Sequence, residues 1–292
     1  MTDPFLTHRS LLFTVAYEML SSAADAEDVV QETWLRWADV DRAQVRDPRA
    51  YLVRTVTRQA LNRLRAMARR REDYVGEWLP EPLLTSPDVA EDVELAESVS
   101  YAMLTVLETL GPTERAVFVL REVFEAPYEE IAGALDKSSA AVRQIAHRAR
   151  EHVAARRPRV AVSRAEQQAV VERFRTAIVT GDLQSLLDVL APDVVLVADG
   201  GGLVPAFRHP VEGVDRVAKI LSGFPKFGPN ARLGTMWLNG SPALRIDFDG
   251  VLNAAVSLVF EAGRISRIYT VTNPNKLARL GEAVHLTKQP IE

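Results

Sequence analysis

The chain has 292 residues, of which 47% are apolar, so it can bury real cores and is not globally disordered. It has no Cys, and its five His (His8, His147, His152, His209, His285) are scattered, which excludes disulfides, thiolate metal sites and a histidine-only zinc site. The formal charge of −4 argues against a polyanionic partner, but residues 74–110 hold eight acids and no Lys or Arg while arginines crowd residues 47–72 and 138–159, and local fields decide such binding.

The N-terminal region carries Asp3 and no basic stretch, and the longest apolar run, 251–260, includes Asn253 and Ser257. Neither a signal peptide nor a membrane span is read from it, and a cytoplasmic protein is expected. Residues 13–20, FTVAYEML, read as an amphipathic helix. Acids at 25–28 suit a helix first turn, and Ala26, Val30, Thr33, Trp34 and Trp37 then recur at helical spacing as a buried face. Asp28, Gln31, Glu32 and Leu35 recur at i, i+3, i+4 and i+7 on the outer face. Such a stripe could dock a protein, although spacing alone describes an ordinary exposed face equally well.

Asp47-Pro48 predicts a helix start. The long helix that follows has Ala50, Leu52, Val53, Val56, Ala60, Leu61 and Leu64 as its buried stripe. Arg54, Arg58, Arg65 and Arg69 lie along one flank, with Gln59 and Asn62 among them. Cations so spaced repel one another unless an anion meets them. Ion pairs to Asp25, Glu27 or Asp28 would account for one or two of these arginines only.

Residues 78–82, Trp-Leu-Pro-Glu-Pro, break helix twice and read as an acidic linker. It is either plainly solvated or a strip of negative charge that disfavours DNA binding by the free protein. Helices are expected again from Asp88 to Leu110, with Gly111-Pro112-Thr113-Glu114 stopping one helix and starting another. A helix-turn-helix follows, with Ile131, Ala132, Leu135, Val142, Ile145 and Ala149 facing inward and Ser138 or Ser139 as cap. The exposed side of its second helix carries Arg143, Gln144, His147 and Arg148. Arg and Gln read guanine and adenine in the major groove and also hold phosphates; a solvated basic hairpin is the bland alternative. Residues 156–162, with Pro158, form a second hinge. Beyond it, helices at 164–180, 183–190 and near 214–221 accompany the strands VVLVAD, ALRIDF, VLNAAVSLVFEAG and RISRIYTVT. This is an α+β domain of about 120 residues.

DAEDVVQETWLRW followed by DPRAYLVRTVTRQALNRLRAMARRRE resembles domain two of an extracytoplasmic-function (ECF) sigma factor. LGPTERAVFVLREVFEAPYEEIAGALDKSSAAVRQIAHRARE resembles domain four. TGDLQSLLDVLAPDVVLVADGGG and VEGVDRVAKIL resemble the SnoaL-like group of the NTF2-like superfamily. Three segments resemble hallmarks of the sigma subgroup that carries such an extension. They are Trp78, Leu79, Pro80, Glu81 and Pro82; Asp199, Gly200, Gly201 and Gly202; and Asn273, Pro274, Asn275, Lys276 and Leu277, where Asn275 stands in place of the usual Asp.

The resemblance implies a multi-domain fold: two all-α sigma domains, the second a helix-turn-helix, followed by an α+β cone around a pocket. The expected boundaries are 1–72, 73–95 for the linker, 96–158 and 163–286. It implies that Asp28, Gln31, Glu32 and Leu35 bind bacterial core RNA polymerase. It implies that Arg58, Gln59, Asn62, Arg63, Arg65, Arg69 and Arg70 meet the minus-ten element of promoter DNA, and Ser139, Arg143, Gln144, His147 and Arg148 the minus-thirty-five element. Many members show Arg-Asn and a later Asp in the minus-ten helix, where Arg58-Gln59 and Asn62 stand here. Two weak DNA modules gain avidity only when both are held in register, which polymerase would supply.

The three hallmark segments are expected to join the terminal domain to the sigma domains and to modulate activity in cis. No enzyme activity, catalytic residue, cofactor, metal or membrane partner is expected, and the terminal domain leaves room for a small-molecule ligand. SnoaL-like cyclases use an acid in the pocket for proton transfer, for which Asp199, Asp247 and His209 are the candidates. Asp199, before three glycines, reads more simply as a turn. Two other readings stay open, because fold analogy does not decide function: a ligand-sensing DNA-binding regulator that never joins polymerase, and an isomerase or cyclase with an attached DNA module.

Overall fold

The computed structural model describes residues 3–72, 74–87, 93–156 and 163–288. The side chains of 68–72 and 93 lie outside the described set, and with them Arg69 and Arg70, as do Asp88 and most of the expected hinge at 156–162.

The first three helices are α1 (Pro4–Leu20), α2 (Ala23–Ala38) and α3 (Pro48–Glu72). Each start is capped: the Asp3 carboxylate accepts from Phe5 N–H at 2.9 Å, Ser22 Oγ from Asp25 N–H at 3.2 Å, and Asp47 from Ala50 N–H at 3.0 Å. Residues 13–20 are not amphipathic in context: every one of them is buried, Glu18 included. The reason is position, since α2 and α3 pack on one side of α1 while the linker and later helices cover the other.

The helices expected up to Leu110 are two short ones within the described residues, α4 (Val93–Ser98) and α5 (Tyr101–Leu107). The Ser100 side chain caps Met103 N–H and starts the second. After α6 (Pro112–Phe118) and one wider π turn come α7 (Tyr128–Leu135) and α8 (Ser139–Ala154), the expected helix-turn-helix. Asp136 adopts a left-handed φ of 51° to end α7, and Ser138, not Ser139, caps α8.

The terminal domain begins with α9 (Arg164–Thr180), entered through a capping box between Ser163 and Glu166, and α10 (Leu183–Val189). Then come β1 (Leu190–Asp199), β2 (Val211–Glu212), α11 (Val214–Leu221), β3 (Ala231–Leu238), β4 (Ser241–Phe248), β5 (Val251–Glu261), β6 (Arg264–Val271) and the single turn α12 (Pro274–Leu277). β2 and β3 were not read from the sequence. The six strands form one sheet in the order β2-β1-β6-β5-β4-β3, antiparallel except for the β1–β6 pair. The fold class is the expected one, two all-α units and an α+β sheet domain.

Both faces of this sheet are covered. Leu196, Val256, Leu258 and Ile268 pack with Phe174 and Ile178 of α9 and Val217 of α11. Val197, Ala255, Val259, Tyr269 and Val271 pack with Leu79 of the linker and Tyr101 of α5. The helical half likewise shares one core that runs from α1 through α8 and takes in Leu83 and Leu286. Within it, Arg115 of α6 is 1% exposed. Its guanidinium donates to the Glu18 carbonyl at 3.0 and 2.9 Å, to Glu108 at 2.7 Å and to Ser21 Oγ. It therefore satisfies a carbonyl that the last turn of α1 leaves open, and ties α6 to α1. Removing one partner of such a buried pair costs about 3–5 kcal/mol. Arg115→Ala is expected to lower the urea-unfolding free energy by about that amount; a loss too small to measure would contradict the role given to this contact.

Candidate functional site

The exposed side of α8 carries Arg143, Gln144, His147 and Arg148 as expected, with Ser139 half-buried in its first turn. Their acidic partners are loose: Arg143 to Glu129 at 3.2 Å, His147 to Glu151 at 3.6 Å and Arg148 to Glu114 at 3.9 Å. Exposed pairs of this kind contribute at most about 1 kcal/mol each. On α3, Asn62 and Arg65 are exposed and Gln59 is half-buried.

Arg58 and Arg63 are engaged within the chain. Arg58 donates to the carbonyls of Ala134 (2.9 Å) and Gly133 (3.0 Å) and to the Asp136 carboxylate (2.7 Å), all at the turn of the helix-turn-helix. Arg63 meets Asp25 at 3.0 Å, Glu32 at 3.1 Å and Asp28 at 3.6 Å. Glu27 pairs instead with Arg9 at 2.7 Å. Asp28, Gln31, Glu32 and Leu35 form an exposed stripe on α2, with Leu35 58% exposed.

The three hallmark segments meet at one buried point. Asp199, fully buried at the end of β1, accepts from the Tyr74 hydroxyl (2.6 Å), Leu79 N–H (3.0 Å), Gly201 N–H (3.0 Å) and Lys276 Nζ (2.7 Å). Lys276, 7% exposed, also donates to the Leu79 carbonyl and lies 3.5 Å from the Trp78 ring centre and 5.2 Å from that of Tyr74, within cation–π range. Asn273 Nδ2 donates to the Tyr74 hydroxyl at 2.9 Å. Burial and the Asp199 carboxylate hold that hydroxyl well above its usual pKa. Gly201 has φ +63°, and a Cβ there would stand 2.2 Å from Asn273 Nδ2. Only glycine permits that approach. Asn275 is exposed, and its backbone N–H donates to Asn273 Oδ1 at 3.0 Å.

Two readings need correction. The segment 79–83 is buried rather than solvated. Glu81, 4% exposed, accepts from Ser22 Oγ (3.1 Å) and Ala24 N–H (3.3 Å) at the start of α2, and its N–H donates to the Ser21 carbonyl (2.8 Å). Its carboxyl group thus serves a helix N-terminus instead of standing in solvent. Asp199 does accept the turn N–H of Gly201, but its other three donors come from the linker and α12.

Asn239 was missed. It sits at the β3–β4 turn with φ +52° and no exposure. Its Oδ1 accepts from Leu83 N–H (3.0 Å), and its Nδ2 donates to the Tyr17 hydroxyl (2.7 Å), which donates to the Glu81 carbonyl (2.7 Å). The Asn239-Gly240 dipeptide was the available signal, since it marks a tight hairpin. The C-terminal tail adds Val284 N–H to the Leu84 carbonyl (2.8 Å) and Thr287 N–H to Thr14 Oγ1 (3.2 Å).

Between the sheet and α9 and α11 lies a cavity of about 220 Å³, lined by apolar side chains with Thr270 and Thr272. Its lining includes no titratable side chain. Asp199 faces away from it, Asp247 pairs with Arg245 at 2.6 Å, and His209 is exposed on the loop beyond it. Among the described residues no cluster of His, Cys, Asp or Glu could hold a metal, and no helix is long and apolar enough to cross a membrane.

Residues 5–71 match the family described as Sigma-70 region 2, and residues 100–153 that described as Sigma-70, region 4. The chain is 35% identical over 284 residues to the ECF RNA polymerase sigma factor SigJ of Mycobacterium tuberculosis, spanning 92% of this chain and 90% of that protein. It is 33% identical over 274 residues to the probable ECF RNA polymerase sigma factor SigI of the same organism, spanning 92% of each. The crystal structure of the M. tuberculosis SigJ protein superposes with a TM-score of 0.75 at 33% identity, covering 94% of this chain and 96% of that one.

Buried carboxyl groups at the α1 junction make stability depend on pH. Burial raises the Glu18 pKa from 4.5 to about 7, against the Ser98 hydrogen bond and the Lys288 and Arg115 charges. A carboxyl raised on folding stabilises fully below its unfolded pKa and loses that contribution as pH rises through the folded value. Against the opposite slope from the lowered His8 pKa, the contribution of Glu18 to the unfolding free energy is therefore expected to fall between pH 4.5 and about 7. Glu18→Gln should reduce that slope, leaving the part Glu81 adds with the same sign. An unchanged slope in Glu18→Gln would refute the assignment.

Proposed function

This chain belongs to the ECF RNA polymerase sigma factors, and we propose that its terminal domain locks it in a pose that cannot read a promoter until the linker is released. Its function is promoter recognition by RNA polymerase, so its partners are core polymerase and promoter DNA. In this reading Asp28, Gln31, Glu32 and Leu35 form the polymerase-binding stripe. Arg58, Gln59, Asn62, Arg63 and Arg65, with Arg69 and Arg70, meet the minus-ten element. Ser139, Arg143, Gln144, His147 and Arg148 meet the minus-thirty-five element.

One observation carries the locked state. Arg58 of α3 bonds directly to Gly133, Ala134 and Asp136 of the helix-turn-helix, so the two DNA-reading surfaces adjoin. The two promoter elements lie roughly 25 base pairs apart, about 80 Å of duplex at about 3.4 Å per pair. Both cannot be engaged while that contact persists. Arg58 itself is consumed, and Arg63 holds Asp28 and Glu32 of the polymerase stripe. Gln31 and Leu35 remain exposed, which leaves polymerase a first foothold. The domain boundaries that suit this reading are 1–72, 73–95, 96–158 and 163–286, with the last acting on the others through 78–82, 199–202 and 273–277. A small molecule in the cavity of the terminal domain would be a natural modulator.

Reconstituted transcription with core polymerase tests the reading. Asp199→Ala is expected to raise promoter-specific output several-fold by loosening the terminal domain; unchanged output from a folded variant would reject regulation in cis. Asp28→Lys with Glu32→Lys is expected to abolish co-elution with core polymerase. Retained co-elution would favour instead a DNA-binding regulator that works apart from polymerase.

A further inference from the structure

The cavity and the buried junction are the two sides of the same strand ends. On β1, Ala198 lines the cavity and Asp199 takes the linker; after β6, Thr272 lines it and Asn273 takes Tyr74. Successive residues of a strand face opposite ways, so this alternation joins cavity and junction through two adjacent strand ends. The Thr272 hydroxyl adds a direct link, donating to the Asp199 carbonyl at 3.2 Å. The loop after Asp199 repeats the arrangement. Pro205, Ala206 and Phe207 form one wall of the cavity, while Gly202 lies so close to the linker that a Cβ there would meet Val75 at 3.0 Å.

The cavity has the features of a binding site. Its lining is apolar apart from two threonines, and the Thr270 hydroxyl makes no hydrogen bond to protein among the described residues. Its rim exposes Phe207 (42%) and Phe227 (62%), large apolar side chains that a folded chain leaves in water only at some cost. Its volume of about 220 Å³ exceeds the about 150 Å³ that accommodates benzene and falls below the about 300 Å³ of the smallest drug-sized sites. A charged group would find no counter-ion there.

We propose that this cavity binds an uncharged, largely apolar small molecule with one polar group, such as a bicyclic aromatic alcohol or ketone, and that its occupancy tightens the junction between the terminal domain and the linker. The direction follows from the geometry. Pro205, Ala206 and Phe207 line the cavity on the loop that Asp199 and Gly202 hold against the linker, so a ligand packed on that wall would favour the locked chain. A ligand shifts an equilibrium only by its difference in affinity for the two states, and the effect is reciprocal. The inference rests on the regulatory reading above, and specifies its signal and sign.

The test uses the full chain and 2-naphthol as the probe, followed by its own fluorescence. Saturable binding to the native chain is expected. Val256→Phe, which fills the cavity from β5, is expected to abolish binding while keeping the native melting profile; Leu196→Phe serves if that variant does not fold. Tyr74→Ala touches no lining residue, yet is expected to weaken binding by about fivefold or more. Saturating 2-naphthol should lower promoter-specific transcription by the native chain and not by the filled variant. Absence of saturable binding, equal affinity in the filled variant, or unchanged affinity in Tyr74→Ala would each overturn the inference. If Asp199→Ala raises transcription while Tyr74→Ala leaves the probe's affinity intact, the inference alone falls. If Asp199→Ala changes nothing, the regulatory reading falls as well.

Discussion

A lysine and an aspartate buried together organise this molecule. Burying either charge alone costs several kcal/mol, about what a small domain can least spare, and a pair is tolerated only when every remaining donor and acceptor is met. Asp199 and Lys276 satisfy that demand with groups they do not share a domain with: the Tyr74 hydroxyl, the Leu79 backbone and the rings of Trp78 and Tyr74. The terminal sheet therefore reaches its lowest free energy only with the linker in place. Linker and sheet become conditions of one another, which is the physical basis of the proposed control by the terminal domain.

Magnitudes indicate where the closed state draws its strength. Arg58 and Asp136 are 47% and 82% exposed, so their ion pair contributes at most about 1 kcal/mol. It marks closure without enforcing it. The buried contacts enforce it: Arg115 on the end of α1, Asn239 between Tyr17 and Leu83, Glu81 on the start of α2, and the linker apolar residues Leu79 and Leu83. These all involve residues 78–85 or the turn after α1. The proposed separation of the two helical units would have to break the linker contacts as well as those of Arg115. Charge rearrangement at Arg58 and Arg63 would then follow at little cost and free both arginines for phosphate.

Much of this was legible in the sequence. Caps at Asp47 and at Ser138 or Ser139, the helix-turn-helix and the outer stripe of α2 follow from local rules, because their causes are local, and the structure selects Ser138. Three things were not legible for physical reasons. The residues around Glu81 look like a solvated linker because charge and proline normally mean solvent, and only tertiary packing reveals a helix N-terminus waiting for that carboxylate. β3, ARLGTMWL, was passed over because Gly234 interrupts its apolar pattern and only its pairing with β4 makes it a strand. The near-continuous apolar run of β5 did carry a signal, since a sheet covered on both faces loses its polar alternation. That signal foretells a partner for the outer face without naming it. Asp199 shows the same limit: a short polar residue before glycines is a turn in most settings, and its three donors other than Gly201 lie 77 to 125 residues away.

The central claim is that the free chain holds its two DNA-reading units together and parts them on a promoter. Because the chain contains no native Cys, spin labels at Arg54→Cys and Lys137→Cys report that separation without competing sites. Pulsed electron–electron resonance is expected to give one short distance for the free protein and a distance several-fold longer in complex with core polymerase and promoter DNA, approaching the roughly 80 Å between the elements. A long distance in the free protein, or a short one that persists in the transcription complex, would contradict the account.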